Sequence, residues 1–235
     1  MNTYRIADKI IQVDSIHNYV HEYFKGYAYN GIPDFTVQTS QADIDSERAK
    51  SSDGGNYSDE YIESLAIYRK ISEKMPEYDS FLFHGSCISV NEEGYIFTAP
   101  SGTGKSTHSA LWRKLLGERA VMVNDDKPII RITNGRAYAY GTPFTGKHML
   151  GNNIHVPVKA ICVLHRSDTN HIEPSTLNGM YAEILRQTYR PYDVQALAKT
   201  LELLGMFGTM VKFYRLYCNM NLDAAEISYN AMKED

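Results

Sequence analysis

The chain has 235 residues, 43% of them hydrophobic and 22% charged, with a formal net charge of -4. That length supports a substantial core, the apolar runs fall far short of the ~20 residues that cross a bilayer, and the mild acidity offers no basic footprint for nucleic acid. Membrane and nucleic-acid partners are therefore not expected. The N-terminal MNTYRIADKIIQVDS interleaves charge with apolar residues, which predicts no export signal and a cytoplasmic location. Cys87, Cys162 and Cys218 are odd in number and form no C-x-x-C pair, so they read as reduced core residues. The 18 tyrosines have no basic stripe beside them and read as packing and surface residues, not stacking platforms for bases.

In chain order, YRIADKIIQV reads as a strand, SIHNYVHEYFKGY as a short helix or turn, and DFTVQTS as another strand. Residues 1-76 are thus expected to form a small β-rich lobe with a helix, packed on a core over 77-235. The polar stretch TSQADIDSERAKSSDGGNYSD has the composition of an exposed loop or frayed hairpin. SDEYIESLAIYRKISEKM then spaces Tyr61, Leu65, Tyr68 and Ile71 at helical intervals, with acids early, lysine late and Ser58 as the cap.

FLFHGSCISV and GYIFTAP are strand-like runs around the turn NEEG, which predicts a hairpin. KSTHSALWRKLLG is helical and stops at Gly117, AVMVNDD is a buried strand ending in acids, and Asn134-Gly135 suits a type I′ hairpin turn. VKAICVLHRSD reads as a strand, STLNGMYAEILRQTY and DVQALAKTLELLGMF as helices, and the tail as a strand followed by a helix. Strands and helices alternating around a central loop predict an α/β fold with a mixed sheet.

That central loop carries the chemistry. Ala99 to Ser106 read A-P-S-G-T-G-K-S against the phosphate-loop pattern G-x-x-x-x-G-K-[ST], with alanine in place of the first glycine. Gly102 and Gly104, flanked by Ser101 and Thr103, let backbone N–H groups turn toward phosphates. Lys105 adds a cation for the β- and γ-phosphates, Ser106 offers a Mg²⁺ ligand at a helix N-terminus, and Thr107 offers a further contact. A purely structural glycine turn would not require the apolar run before it and the amphipathic helix after it, so a nucleotide site is expected.

Phosphoryl transfer also needs an acid, and Asp125 and Asp126 end the next apolar run. Adjacent strand residues face opposite ways, which separates the jobs of the two acids. At a frayed strand end both can reach one ion, and Asn-Asp-Asp before Pro128 equally suits a plain turn. His84, in FLFHGSC, is expected on the strand beside the loop strand, where by itself it reads as readily as a packed or exposed residue.

In order and spacing, His84-Gly85, the loop with Lys105, and Asp125-Asp126 resemble HPr kinase/phosphorylase catalytic domains. Those domains are similar in their nucleotide site to ATP-dependent phosphoenolpyruvate carboxykinases, and the string S-G-T-G-K looks closer to the carboxykinase version. The resemblance is specific from His84 to Lys127 and weaker over the later strands and YGTPFTGK. It implies a P-loop kinase domain of that type, with a mixed β-sheet and flanking helices. It further implies ATP- and Mg²⁺-dependent transfer of the γ-phosphate to a hydroxyl, a serine of a protein, a peptide or a small metabolite, and assembly as a homo-oligomer.

Carried over residue by residue, the resemblance implies that Lys105 holds the transferring phosphate. Ser106 and Asp125 serve the metal, and Asp126 takes the acceptor proton with the help of His84. The family's Glu-Ile-Arg-Gly-type motif has no counterpart after the acid pair, where GTPFTGKHMLGNN stands instead. The chain thus resembles a divergent relative rather than a true HPr kinase, and the missing motif leaves the choice among protein, peptide and small-metabolite acceptors, and reverse phosphorolysis with it, open. Lys147 in that stretch, and Arg186 and Arg190 in LRQTYRP, are candidates for an acceptor pocket or charge clamp. The missing motif also suits a nucleotide-sensing module that turns over slowly. A carboxykinase-like lyase would need an arginine-rich carboxylate site and further metal ligands in a much longer chain.

Overall fold

Two consecutive residues with positive φ, Ala7 at 50° and Asp8 at 59°, fold the N-terminal apolar run back on itself. In the computed structural model, which describes residues 2–50 and 55–234 with the side chain of Lys147 outside the described set, the single strand expected there is a hairpin. Its strands are β1 (Asn2–Ile6) and β2 (Lys9–Asp14). An aspartate tolerates the left-handed region, and Asp8 is held by Arg5 across the turn at 3.0 Å.

The chain separates into two compact units, Met1–Lys74 and Met75–Asp235. The first continues with α1 (Tyr19–Tyr23), β3 (Phe35–Gln38), α2 (Gln41–Ala49) and α3 (Asp59–Lys74). Its sheet has the order β1-β2-β3, with β3 parallel to β2. Helix α2 replaces the loop expected from its polar composition. The Ser40 backbone N–H donates to Asp43 Oδ2 at 2.9 Å, starting the helix, and Glu47 accepts from Arg69 of α3 at 2.7 and 2.6 Å. Of the same polar stretch, 51–54 lie outside the described residues. Ser58 caps α3 as expected, accepting from the Tyr61 N–H at 3.4 Å. The helix is rotated relative to the expected face, burying Ile62, Ile67 and Ile71 and leaving Tyr61 exposed. Among its described residues this unit sets α1, α2 and α3 beside β1, β2 and β3.

The second unit runs β4 (Ser80–Leu82), β5 (Ser86–Val90), β6 (Glu93–Thr98), α4 (Lys105–Leu116), β7 (Ala120–Asn124), β8 (Ile129–Thr133) and β9 (Arg136–Tyr140). It ends with β10 (His155–Arg166), β11 (His171–Ser175), α5 (Leu177–Gln187), α6 (Val194–Met210), β12 (Lys212–Cys218) and α7 (Leu222–Met232). The strands form one mixed sheet in the order β4-β8-β9-β10-β6-β5-β7, with β12 against β10 and β11 against β12. Strand β11, absent from the sequence expectations, is a polar edge strand with only partial burial. It therefore lacks the apolar alternation by which strands are read.

Alternation along the central strands explains the layers. Ile96 of β6 and Ile161 and Val163 of β10 face a core closed by Met180 and Ile184 of α5 and Leu203 and Phe207 of α6. Tyr95 and Phe97, with Ala160, Cys162 and Leu164, face a second core closed by Trp112 of α4 and Ala225 and Met232 of α7. The sheet is thus buried on both faces, the arrangement of a mixed α/β fold. Cys87 and Cys162 are buried free thiols, and Cys218 is partly buried and also free. Among the described residues, no helix is long and apolar enough to cross a membrane.

Candidate functional site

Strands β6 and β7 both run antiparallel to β5, which lies between them, so β6 and β7 are parallel and end at the same edge. That edge receives Thr98 and the glycine loop from one strand, and Asn124, Asp125 and Asp126 from the other. The β5–β6 turn places Asn91 and Glu92 at φ 52° and 65°, the twist that returns the chain directly beside its partner strand.

The glycine loop leads from Thr98 into α4. Gly102 has φ 77° and Gly104 has φ 126°, values that only glycine adopts without strain. Gly104 is also the residue from which α4 starts, so free backbone N–H groups of the first helical turn gather there. Lys105 is buried, and its Nζ donates to the Ala99 carbonyl at 2.9 Å, folding the side chain back over the loop. Burial pushes its ammonium below the ordinary lysine value, and the charges of Asp126 and Asp125 partly restore it. Ser101 and Thr107 are exposed, while Thr103 and Ser106 are half-buried.

The two acids have different surroundings, as opposite faces require. Asp125 is 5% exposed, and its Oδ1 accepts from Ser86 Oγ at 2.8 Å and Ser109 Oγ at 3.3 Å. Ser109 also donates to the Lys105 carbonyl at 3.1 Å, which fixes Asp125 against the first turn of α4. Asp126 is more open, with its side chain 24% exposed. His84 Nε2 lies 3.3 Å from Asp126 Oδ1, and Lys127 Nζ lies 3.2 Å from Oδ2. Burial raises the Asp126 carboxyl, but the His84 hydrogen bond and the charges of Lys127 and His84 outweigh it and hold the group below the ordinary aspartate value.

His84 does not sit on a strand, as was expected, but in the break between β4 and β5. Strand β4 pairs with β8 while β5 pairs with β6 and β7, so the chain changes partners across Phe83 to Gly85. Gly85 permits the crossing: a Cβ there would stand 3.0 Å from both Ile96 Cγ2 and the Phe97 carbonyl oxygen. The His84 backbone N–H donates to the Gln187 carbonyl at 2.7 Å, and its ring Nδ1 lies 2.8 Å from Gln187 Oε1.

Several supporting residues escaped sequence reading. Asn124 is fully buried, and its Oδ1 accepts from the Asp126 and Lys127 N–H groups at 2.9 and 2.6 Å. Its Nδ2 donates to the Thr142 carbonyl and hydroxyl, both at 3.1 Å. The N-D-D string carried the signal, since asparagine characteristically bonds the backbone two residues on. Gln187 carried none. The segment GTPFTGKHMLGNN packs against the end of β7, where Asn152 N–H donates to the Val123 carbonyl at 3.1 Å and Asp125 N–H to the Leu150 carbonyl at 3.0 Å. A Cβ on Gly146, whose φ is 66°, would lie 3.0 Å from Asp126 Cβ.

Beside the loop opens a cavity of about 630 Å³ lined in part by Thr98, Arg166, Glu183, Arg186 and Gln187. Of the two C-terminal arginines, Arg186 therefore stands at the site and Arg190 is not in that lining. The Lys147 side chain lies outside the described residues. Within that set, no group of three or more His, Cys, Asp or Glu side chains is disposed to hold a metal ion.

No protein-family model matches the chain, and no curated protein matches it. Among solved structures, the chain is similar to the Hpr(Ser) kinase/phosphatase from Coxiella burnetii, at 10% identity and a TM-score of 0.36. That similarity covers 64% of this chain and 95% of the other.

Proposed function

We propose that this chain is an ATP- and Mg²⁺-dependent phosphotransferase that moves the γ-phosphoryl group to a hydroxyl, a serine of a protein or peptide or the hydroxyl of a small metabolite. The observation that carries this reading is the convergence on one sheet edge of a glycine-cradled lysine and an aspartate paired with histidine. Lys105 is close enough to feel the charges of both Asp125 and Asp126, and Asp126 stays ionised through its contacts with His84 and Lys127.

In this reading, backbone N–H groups of Ser101 to Ser106 and the α4 N-terminus bind the phosphates, with Thr107 at their outer end. Lys105 exchanges its carbonyl partners for the transferring phosphate. Asp126 orients the acceptor hydroxyl and takes its proton, and His84 holds that carboxylate in place. The donor set suits Mg²⁺, a hard cation that takes one or two protein oxygens and fills its shell with water and phosphate. Ser106 Oγ and the Asp125 carboxylate would hold it, and when bound it neutralises phosphate charge.

A nucleotide-sensing module that turns over slowly is the second reading, and the Lys105 contact with the Ala99 carbonyl favours it, because the cation is already engaged. Incubation of the full chain with γ-labelled ATP, Mg²⁺ and free serine, serine peptides or cell extract tests both. Label in an acceptor supports the phosphotransferase. Tight nucleotide binding by calorimetry with no transfer and only trace hydrolysis supports the sensor.

A further inference from the structure

The glycine loop separates two cavities, and Arg166 is the partition. Its guanidinium donates to the Gly102 carbonyl and, through Nε, to the Thr103 carbonyl at 3.4 Å. The smaller cavity, about 600 Å³, is completed by Thr107, Leu111, Cys218 and Met220. The larger one, about 630 Å³, is completed by Glu183, Arg186 and Gln187. Both volumes are those of small-molecule sites.

The two cavities differ in their connection to the His84–Asp126 pair. Gln187, in the wall of the larger cavity, holds both the backbone and the ring of His84. Thr98, in the same wall, donates its hydroxyl to the His84 carbonyl at 2.8 Å. The smaller cavity shows no such link among the described residues. Leu111, Cys218 and Met220, which line the smaller cavity and not the larger, offer apolar contacts for a flat group such as a nucleobase.

Among the described residues, the charges of the larger cavity leave the Arg186 guanidinium unmatched. Arg166 is bound to loop carbonyls. Glu183 Oε2 accepts from Arg215 at 2.8 Å, and Oε1 lies 3.2 Å from His165 Nε2, off the hydrogen-bonding direction. Arg186 is exposed in the last turn of α5 and makes no hydrogen bond or ion pair among the described residues. A cation there complements the helix dipole, but that role predicts no ligand. An unmatched guanidinium in a cavity wall also offers a two-pronged site for a carboxylate.

We infer that the phosphate acceptor enters through the larger cavity and that Arg186 selects an acceptor bearing a carboxylate, while the nucleobase occupies the smaller one. The inference rests on the phosphotransferase reading. In the step it describes, the acceptor oxygen bonds to the γ-phosphorus, and the bond from that phosphorus to the bridging oxygen breaks with its electron pair leaving on the nucleoside diphosphate. The hydroxyl proton passes to Asp126.

The test uses the full chain and its Arg186→Gln and Arg186→Glu variants with γ-labelled ATP and Mg²⁺. The acceptors are L-serine and L-malate with their amides, and short serine peptides flanked by aspartate, alanine or lysine. Nucleotide affinity is read separately from the anisotropy of a fluorescent ATP analogue. The expected result is a kcat/KM about tenfold or more higher for carboxylate-bearing acceptors than for their neutral counterparts. That preference is lost in Arg186→Gln and turned toward lysine-flanked peptides in Arg186→Glu, with nucleotide affinity unchanged in both. The free-acid and peptide arms tell which source supplies the carboxylate. Equal use of neutral and anionic acceptors, an unaltered preference in Arg186→Glu, or bound nucleotide with none of these acceptors used would overturn the inference. Failure to bind nucleotide at all would instead overturn the phosphotransferase reading beneath it.

Discussion

His84 Nε2 and Asp126 Oδ1 stand 3.3 Å apart, and neither residue belongs to a regular strand at that point. His84 is anchored through Gln187 at the end of α5. Asp126 is anchored through Asn124 and through its own carbonyl, which accepts from the Gly85 N–H at 2.9 Å. Backbone contacts on both sides thus hold the pair, so each side chain can be changed without moving the other's main chain. Asp126→Asn is expected to reduce phosphoryl transfer by roughly 10²- to 10⁴-fold, the worth of a positioned base, with nucleotide affinity preserved. Full activity in Asp126→Asn would remove the proposed base.

The same pair makes a pH prediction. The Asp126 carboxyl is depressed in the folded protein, because the contacts with His84 and Lys127 outweigh burial. A depressed folded value stabilises the fold fully above the unfolded carboxylate value of about 4, and that contribution is lost as pH falls through the lower folded value. Asp126 is therefore ionised at neutral pH, and in the proposed reaction its acid limb in kcat/KM is expected below the ordinary carboxylate range. His84→Gln removes supports of the charged form and should move that limb to higher pH. A limb that stays where it was would show that His84 does not hold the carboxylate.

Gly104 adopts φ 126° with open space where a Cβ would go, so the cost of Gly104→Ala is conformational and not steric. Strain of this type costs roughly 1–3 kcal/mol. Thermal unfolding should show a lowered Tm, and nucleotide affinity should fall with it, because the first turn of α4 must reorient. Gly117→Ala, at φ 59° and equally uncrowded, is the control: it should lower Tm by its own strain while leaving nucleotide affinity intact.

Lys105 separates stability from binding. Its ammonium is desolvated, so Lys105→Met should cost the fold little. Affinity for ATP with Mg²⁺ should fall about tenfold or more, in keeping with the roughly 1.5–3 kcal/mol of a hydrogen bond to a charged group. Lys105→Arg should fail to restore it, since a planar guanidinium does not fit where a compact ammonium lies against the Ala99 carbonyl. Parallel melting curves and nucleotide titrations check the split.

Asn124→Ala should damage both properties at once. It leaves the Asp126 and Lys127 N–H groups without this acceptor and the Thr142 carbonyl without this donor; a buried group left unsatisfied costs about 1–3 kcal/mol, and the partly exposed N–H groups cost less. Transfer should fall along with Tm, because the turn that aims Asp126 is lost. A variant that is destabilised yet keeps full transfer would confine Asn124 to a structural role.

Much of this architecture was legible locally. The hairpin at Asn134-Gly135, the stop of α4 at Gly117 and the strand-loop-helix around Lys105 follow from backbone preferences within a few residues. The same local logic explains the misses. Helix α2 was hidden because its start is a short Ser40–Asp43 contact and its support comes from Arg69, distant in sequence. The hairpin at Ala7-Asp8 was hidden because neither residue announces a turn as Asn-Gly does. His84 was placed on a strand because its apolar neighbours alternate correctly, while the change of strand partners at Gly85 is a tertiary event.

Local sequence carries the pieces of the site: a loop that only glycines can turn, a lysine at the start of a helix, and acids at the end of an apolar strand. Tertiary structure alone decided how they meet. Strand order put β5 between β6 and β7 and so brought loop and acids to one edge. Packing of α5 supplied Gln187 to hold His84 and Arg186 to face the cavity. Periodicity and turn preference act over a few residues, whereas these contacts, such as His84 with Gln187, join residues far apart in the chain, and only the assembled sheet with its two cores brings them within reach.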